Sequence, residues 1–348
     1  MLGIIFVISS ITGLLLAYKD VWLLWQYPAL ENSSASPSLN QTAFTLDSIL
    51  NRHNDLESSI SYISLRPKNI KGFQVNFERN NIKYIEHIDA HTASPILVRE
   101  IQEDFVMQLF DLHAHLFYGK NGKRILGIMA FGFLAIIITG IIVWRPRRNT
   151  IVKKLKLPKS KKILPVAYWL HRFLGAVTMP FLLISLLTGI GVVYYKPLQN
   201  ALTFILNEDT SSNTVKQVQC SDDDMKVGFF DQLSVVNDIY PSAQIVRIYP
   251  AKNSESPVRY RLKFPEEWHQ NGRSYVYINP CNNQVVYEHD ARQNQAGVRL
   301  SNLLYPIHSV HVGGPIFKLL ISFSSFAVLV LFLTGLFTWF RRATKMKN

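Results

Sequence analysis

The sequence lacks the motifs of the commonest catalytic sites. A Gly-rich phosphate loop, His-Glu-x-x-His, Gly-x-Ser-x-Gly and Cys-x-x-Cys are all missing from its 348 residues, so motifs assign no catalytic residue. Cysteine is scarce as well, since Cys220 and Cys281 are the only two. An oxidising compartment permits a disulfide between them. Two free thiols are equally compatible, because the sequence does not tell whether their Cβ atoms meet.

Charge is almost missing from four long apolar stretches, in which Lys318 is the exception. Three of them reach the roughly 20 residues that cross about 30 Å of hydrocarbon. The first stretch lacks the basic start and small-residue cleavage site of a signal peptide, so we expect it to be retained as a helix. Four transmembrane helices in a lipid bilayer are therefore predicted. The stretches are residues 2–18, 125–144, 173–195 and 316–340.

Acidic residues are missing where basic residues concentrate. Nine Lys or Arg residues lie between Arg145 and Lys162, and four more lie between Arg341 and Asn348. Together they match the net charge of +13. Short loops rich in Lys and Arg stay in the cytoplasm, so both stretches and both termini are predicted to be cytoplasmic. Topology then explains the charge, and no nucleic-acid partner is expected.

The predicted fold is membrane α-helical, with four transmembrane helices in two pseudo-symmetric halves and two extracytoplasmic α+β domains. The short cytoplasmic loop leaves no room for a nicotinamide or flavin domain, so electrons would have to come from a separate donor. The predicted boundaries are helices at 1–19, 124–144, 165–195 and 316–340, α+β domains at 20–123 and 196–315, a basic cytoplasmic loop at 145–164 and a cytoplasmic tail at 341–348.

A Thr-Gly pair recurs in all four apolar segments. The second and fourth copies each have a histidine 26 residues upstream and a tryptophan five residues downstream. Two related halves, 1–148 and 165–348, explain this spacing and make His113 equivalent to His308. The pairs themselves are expected to be packing positions, where small residues let helices approach closely. The four copies are Thr12-Gly13, Thr139-Gly140, Thr188-Gly189 and Thr334-Gly335.

The outer segments show the alternation of apolar and polar residues that is typical of strands. Asn-rich turns separate these strands into hairpins, and a helix is predicted ahead of each group. A Ser/Asn-rich stretch, residues 31–42, is predicted to be a loop. The predicted strands are 73–77, 82–88, 258–264, 275–278 and 284–287, and the predicted helices are 46–60 and 229–240.

Together these features resemble the PepSY-associated transmembrane family over nearly the whole chain. The resemblance rests on the four Thr-Gly helices, Leu170-His171-Arg172 with Leu174-Gly175, a histidine before the second and fourth helices, a terminal Trp followed by Arg, and the Ile88-Asp89-x-x-Thr92 hairpin. Members of that family include FoxB-type bacterial inner-membrane reductases of ferric siderophores, which carry two haems. The resemblance implies haem b, one or two copies, and a periplasmic location for the large outer segments.

Five of the ten histidines lie at predicted membrane ends, and neutral imidazole is a common ligand of haem iron. His113 and His308 are predicted to face each other as axial ligands, because related halves bring equivalent positions together. His113 and His115 point in nearly opposite directions on a helix, whereas His308 and His311 share a face. The resemblance makes His171 an inner-face ligand, but its counterpart would precede Met1. Interfacial anchoring is the alternative role for these rings.

Two functions remain open on the sequence alone. The first is a haem-containing reductase that takes electrons from a quinol or a soluble reductase and passes them to a periplasmic ferric siderophore, releasing Fe(II). The second is a non-redox membrane protein whose outer domains bind a peptide or protein partner.

Overall fold

The computed structural model of the chain describes residues 2–31, 37–65, 70–144, 155–160, 162–208, 218, 228–253 and 255–345. The chain divides into two compact units. A helical unit comprises Met1–Tyr18, Leu109–Leu198 and Leu304–Asn348, and a sheet unit comprises Lys19–Gln108 and Gln199–Leu303. Most of the predicted basic loop, 145–164, and Cys220 lie outside the described residues.

Three helices of the helical unit are long and apolar enough to cross a membrane, and the first helix reaches that length only together with the short helix that follows it. The chain is therefore a multi-pass membrane protein with three or four candidate spans. The helices are α1 (Leu2–Leu16), α2 (Lys19–Gln26), α3 (Leu39–Asp55), α4 (Phe105–His115), α5 (Gly119–Trp144), α6 (Ile163–Val193), α7 (Tyr195–Ile205), α8 (Phe229–Ile239), α9 (Ala296–His308) and α10 (Gly314–Lys345).

Two of the long helices begin at a glycine in the left-handed region. Gly119 has φ +52° at the start of α5, and Gly314 has φ +69° at the start of α10. Glycine adopts this conformation without the steric penalty of a Cβ atom. Each glycine thus allows the chain to change direction just before a span.

Eight strands of the described residues form one antiparallel sheet in the order β4-β3-β2-β1-β5-β6-β7-β8. Each outer segment contributes four consecutive strands, and the pairing of β1 with β5 joins the two sets. The two segments, which the sequence suggests as separate α+β domains, therefore share a single sheet. The strands are β1 (Ser59–Ser64), β2 (Phe73–Arg79), β3 (Ile82–Ile88), β4 (Pro95–Glu100), β5 (Gln244–Tyr249), β6 (Val258–Lys263), β7 (Ser274–Ile278) and β8 (Val285–His289).

One face of this sheet is covered by α3 and α8, which pack over it in a common core. Alternate strand residues such as Val75, Ile248 and Tyr260 are fully buried beneath the two helices. The β2–β3 hairpin turns on Asn80 and Asn81, both at positive φ, as expected of a tight two-residue turn. Burial of apolar area in this layer supplies the main driving force for forming the sheet unit.

Three strands escape sequence-based prediction: β1, β4 and β5 have short or irregular alternation. The predicted loop at 31–42 is wrong at its end, because α3 already begins at Leu39. Ser38 caps this helix in a reciprocal capping box with Gln41. The predicted helix at 46–60 starts and ends too late. α3 begins at Leu39 and ends at Asp55, Glu57 adopts positive φ, and β1 begins at Ser59.

Cys281 is disulfide-bonded. Cys220, the only other cysteine in the sequence, lies outside the described residues. Of the two alternatives that the sequence leaves open, the structure therefore has the disulfide. Such a bond forms and persists in an oxidising compartment.

A chain of buried polar groups lies on the face of strands β3 and β4 that is opposite to α3 and α8. Arg99 donates from Nε to Nε2 of His87 at 3.2 Å and forms a buried ion pair with Asp104. His87 is fully buried. Burial, and then the charge of Arg99, lower the pKa of His87 from 6.5 to about 3. The folded chain therefore keeps this imidazole neutral at pH values at which the imidazole is protonated in the unfolded chain.

We expect this histidine to contribute acid sensitivity. Below about pH 6.5 the unfolded state binds a proton that the folded state excludes down to about pH 3, so stability is full above the unfolded pKa and is lost as the pH falls. Replacing His87 by Gln keeps an acceptor for Arg99 but removes the titration. As the pH falls from about 6.5 to 4.5, the free energy of unfolding should fall less in the variant than in the wild type, by on the order of 2–3 kcal/mol.

The measurement is the thermal unfolding of the full chain in detergent at several pH values. His91→Gln, on the adjoining turn, is the control and should unfold with the wild-type pH dependence. Equal pH dependence for His87→Gln and wild type would contradict the assignment.

Candidate functional site

His113, at the end of α4, lies against the Thr-Gly pair of α1. Its Nδ1 is 3.1 Å from Oγ1 of Thr12 and 3.1 Å from the backbone oxygen of Ser9. A Cβ atom on Gly13 would lie 3.1 Å from Cε1 of the ring. The glycine thus provides the space in which the imidazole sits, and the threonine and the carbonyl of the same helical turn hold its Nδ1.

His308, at the end of α9, makes the same contacts with α6. Its Nδ1 is 3.3 Å from Oγ1 of Thr188 and 3.1 Å from the backbone oxygen of Ser185. A Cβ atom on Gly189 would approach its Cε1 to 3.0 Å. The arrangement around His113 is therefore repeated, residue for residue, around His308.

A third histidine shares this environment. His171 lies within α6, and its Nδ1 is 3.0 Å from Oγ1 of Thr334 and 3.1 Å from the backbone oxygen of Leu331 on α10. Gly335 again lies next to the ring, since a Cβ atom on Gly335 would lie 3.4 Å from Cε1 of His171. Three of the four Thr-Gly pairs thus each hold one imidazole by its Nδ1.

The contacts determine which ring nitrogen carries the proton. Each threonine donates its own hydroxyl hydrogen to the carbonyl four residues earlier, for example from Thr12 to Ile8 at 2.8 Å and from Thr188 to Ile184 at 2.6 Å. Only an N–H donor can then satisfy both the hydroxyl oxygen and the neighbouring carbonyl. Nδ1 is therefore protonated, and the lone pair is on Nε2. Metal-binding histidines typically donate their other N–H to a carbonyl in this way.

Electrostatics also favour neutral rings at this site. Burial, and then the charge of His308, lower the pKa of His113 to about 4. Burial likewise lowers the pKa of His308, and the hydrogen bond to the carbonyl of Ser185 offsets only part of this decrease. Neutral imidazole with a free Nε2 is the form that ligates iron.

The rings of His113 and His308 face each other, with centroids 6.1 Å apart and planes inclined by 31°. A metal holds an imidazole nitrogen at about 2.0–2.1 Å, so two rings on opposite sides of one iron have centres on the order of 6 Å apart. The observed separation fits two axial ligands of one haem. A haem needs only two protein ligands, because the macrocycle occupies the equatorial positions of the iron.

The other two predicted histidines do not join this pair. His115 is bonded through Nδ1 to Asp111 at 2.9 Å and lies edge-on to Phe110, which agrees with its expected direction away from His113. His311 does not share a helical face with His308, because α9 ends at His308 and Val310 adopts positive φ. His311 instead contacts Ser309 and stacks on Tyr305.

The fourth Thr-Gly pair has no histidine within the described part of the chain. Thr139 donates to the carbonyl of Ile136, and a Cβ atom on Gly140 would find no heavy atom within 4 Å. This copy is therefore an internal control for the other three.

The sequence pattern singles out the histidines but does not indicate which residues orient them. The Thr-Gly pairs are predicted as packing positions, whereas three of them also contact an imidazole, with the threonine as hydrogen-bond acceptor. The available signal was the histidine that lies 26 residues before the second and the fourth Thr-Gly pair. Sequence spacing alone did not show that His113 contacts the pair of α1 instead of its own downstream pair.

Across the described residues, no group of three or more His, Cys, Asp or Glu side chains is placed to hold a metal ion. In comparisons with known proteins, the profile of a family described as the PepSY-associated TM region matches residues 1–342. A comparison with curated proteins finds no match.

Adding a side chain at the glycines that contact the rings should destabilise the helical unit. In Gly189→Val the new methyl groups would overlap with His308, at a cost of about 1–3 kcal/mol. Gly140→Val, which enters open space in the equivalent pair, is the matched control and should unfold at or above the wild-type temperature. Thermal unfolding in detergent measures both. A Gly189→Val variant as stable as Gly140→Val would show that the glycine is not required by the imidazole.

Proposed function

Because the chain belongs to the PepSY-associated transmembrane family, we propose that it is a haem-bearing oxidoreductase of the bacterial inner membrane. It would reduce a ferric chelate, by resemblance a ferric siderophore, on the periplasmic side and release the iron as Fe(II). The proposal includes a construction from two related halves, which the repeated His–Thr-Gly contacts support. It also includes the predicted orientation, in which both termini and the basic loop are cytoplasmic.

The observation that carries this proposal is the facing pair of His113 and His308. Both rings are neutral, both are held through Nδ1 by the same chemical groups, and both therefore present a lone pair on Nε2. A histidine that merely anchors a helix in the headgroup layer has no need for a fixed tautomer or for a facing partner. The two features together favour axial ligation.

His113 and His308 would hold haem b through their Nε2 atoms. When bound, haem supplies a redox centre that exchanges single electrons at a potential set by its axial ligands and burial. Thr12 and Thr188, with the carbonyls of Ser9 and Ser185, fix the ring orientations and increase the donor strength of the imidazoles. Burial of the two rings limits the access of water.

His171 would be a ligand at the opposite end of the helical unit. Its Nδ1 is held by Thr334 and Leu331 in the same manner, so its Nε2 is equally available. Within the described residues no second histidine faces it. A second haem there would have His171 as one protein ligand.

The electrons would come from a separate molecule. A membrane quinol, which releases two electrons and two protons and so reduces two ferric centres, is one candidate, and a soluble reductase that docks on the basic cytoplasmic loop is the other. Reduction weakens the bonds from hard oxygen ligands to iron, so the chelate then releases the metal.

The visible spectrum of the detergent-purified protein tests the proposal. Protein from haem-replete cells should show a sharp α-band on addition of dithionite. His113→Ala and His308→Ala should each abolish or shift the band of this haem, because each removes an axial ligand. His115→Ala, which changes a histidine outside the pair, should leave it unchanged. Colourless wild-type protein would overturn the proposal and favour a non-redox protein that binds a peptide or protein partner.

The threonines are expected to act as positioning residues whose effect appears in the reduction potential. In Thr12→Val and Thr188→Val the Nδ1–H keeps its carbonyl acceptor but loses the hydroxyl, so the haem should remain while its midpoint potential rises. A tenfold change in relative stability of the two oxidation states corresponds to about 59 mV, and a rise of up to roughly that size is expected.

Thr139→Val removes the same group from the Thr-Gly pair that contacts no histidine, and a redox titration should give the wild-type potential. Unchanged potentials in Thr12→Val and Thr188→Val would restrict the threonines to helix packing.

A further inference from the structure

The face of strands β5–β8 that is opposite to α3 and α8 carries an unusual set of side chains. On β6, Tyr260 and Leu262 enter the core beneath α3 and α8. Arg259 and Arg261 alternate with them and therefore lie on the opposite face. Tyrosines occupy the neighbouring positions of the adjoining strands. We call this set the arginine–tyrosine face; it comprises Tyr62, Arg247, Tyr249, Arg259, Arg261, Tyr275, Tyr277 and Tyr287.

The strand register places these side chains side by side. Arg259 lies between Tyr249 on β5 and Tyr277 on β7, and Arg261 lies between Arg247 and Tyr275. Cross-strand neighbours on one face are close enough to interact directly. Each arginine is consequently bordered by aromatic rings.

The guanidinium groups stack on the rings. Cζ of Arg259 is 3.7 Å from the ring centroid of Tyr249, and Cζ of Arg247 is 4.6 Å from that of Tyr62. Arg261 lies 5.6 Å from the ring of Tyr275 and donates from Nε and Nη2 to the backbone oxygen of Gly272. These contacts hold the three cations in defined positions on a half-buried surface.

Within the described residues no carboxylate forms an ion pair with these arginines, although Glu267, on the connection between β6 and β7, attracts Arg261. The only acidic residue in strands β1 and β5–β8 is Glu288, which pairs with Val276 and so lies on the opposite face, where Tyr240 donates to it. None of the ion pairs in the described part of the chain includes Arg247, Arg259 or Arg261. The buried Nε of Arg259 also has no hydrogen-bond partner there.

The two faces of the sheet therefore differ in electrostatic potential. Burial raises the pKa of Tyr249, but the charges of Arg247 and Arg261 outweigh it, and its pKa lies below the ordinary value. On the opposite face, burial and then Glu288 raise the pKa of Tyr240 to about 12. Arg247 and Arg261 thus stabilise negative charge at Tyr249.

Three adjacent cations that form no ion pair repel one another, and partial burial increases that cost. A ligand that brings negative oxygens would relieve it. Guanidinium groups bind paired oxygens of carboxylates and similar anions through two parallel N–H donors. Tyrosine rings stack on flat aromatic groups. The face combines both preferences at spacings that suit a single small molecule.

We propose that the arginine–tyrosine face binds an anionic small molecule whose oxygen donors are attached to an aromatic ring, as in catecholates. The ferric chelate that this protein reduces would accordingly be of the anionic catecholate class. That second statement rests on the proposed function, whereas the binding itself does not require haem or electron transfer.

Equilibrium dialysis of the full-length oxidised protein in detergent tests the binding. The probes are radioactive iron complexed with 2,3-dihydroxybenzoate, which is anionic and aromatic, and the uncharged ferric acetohydroxamate complex, which has no ring. The catecholate complex should bind at least about tenfold more tightly, and Arg247→Gln and Arg259→Gln should each weaken it about tenfold or more, as the loss of a charged hydrogen bond implies.

Two further variants keep the test decisive. Arg79→Gln is the matched control, because Arg79 also lies over a tyrosine, Tyr84, but on the helix-covered face, and it should bind like the wild type. Arg259→Lys keeps the charge without the planar donor fork and should retain part of the affinity, which a misfolded variant would not.

Equal affinity for the two iron complexes, unchanged binding in both glutamine variants, or competition by a single-stranded oligonucleotide at equal affinity would overturn the proposal. The dithionite spectrum of the same preparation separates this result from the proposed function. Haem bands without catecholate binding would remove only the arginine–tyrosine site, and binding without haem bands would remove only the reductase.

Discussion

Much of this structure depends on one requirement: an imidazole N–H inside an apolar helical unit needs a hydrogen-bond acceptor. A polar group in such surroundings is costly unless it is hydrogen-bonded, and helix carbonyls are already occupied by the next turn. Thr12 resolves this by donating to Ile8 while accepting from His113, and the carbonyl of Ser9 shares the same proton. Because glycine follows the threonine, the ring can lie directly against the helix. The tautomer and position of the histidine are consequences of this one turn.

The same requirement explains why the pattern is repeated and where it is incomplete. The turns of Thr188 and Thr334 hold His308 and His171 in equivalent contacts, and the described residues contain no histidine at Thr139. Packing alone would not distinguish these four turns, since all have a small residue next to a threonine. The presence of the imidazole at three of them indicates that the arrangement serves ring orientation as well as close helix approach. Facing, neutral, singly oriented rings are what an axial pair requires.

The sheet unit shows a comparable division between packing and chemistry. Its face beneath α3 and α8 is mostly apolar and contributes stability, with the buried ion pairs of Glu86 as an exception. The opposite face carries the buried His87–Arg99–Asp104 chain in one half and the arginine–tyrosine face in the other. Alternation along each strand makes this possible, because neighbouring residues serve opposite faces. In the first half Asp104 compensates Arg99. In the second half no described acid forms an ion pair with Arg247, Arg259 or Arg261.

The sequence by itself determined the membrane class, the apolar spans and the main hairpins, and it predicted that His113 and His308 lie close together, because hydropathy, turn chemistry and residue spacing can be read directly along the chain. Strand β5 and the joining of eight strands into one sheet were decided by long-range pairing with β1. The partner of each Thr-Gly pair, the proton on Nδ1 and the contact between Arg259 and Tyr249 were likewise decided only by the tertiary structure, since each depends on residues that are distant in the chain and meet only when helices pack and strands align.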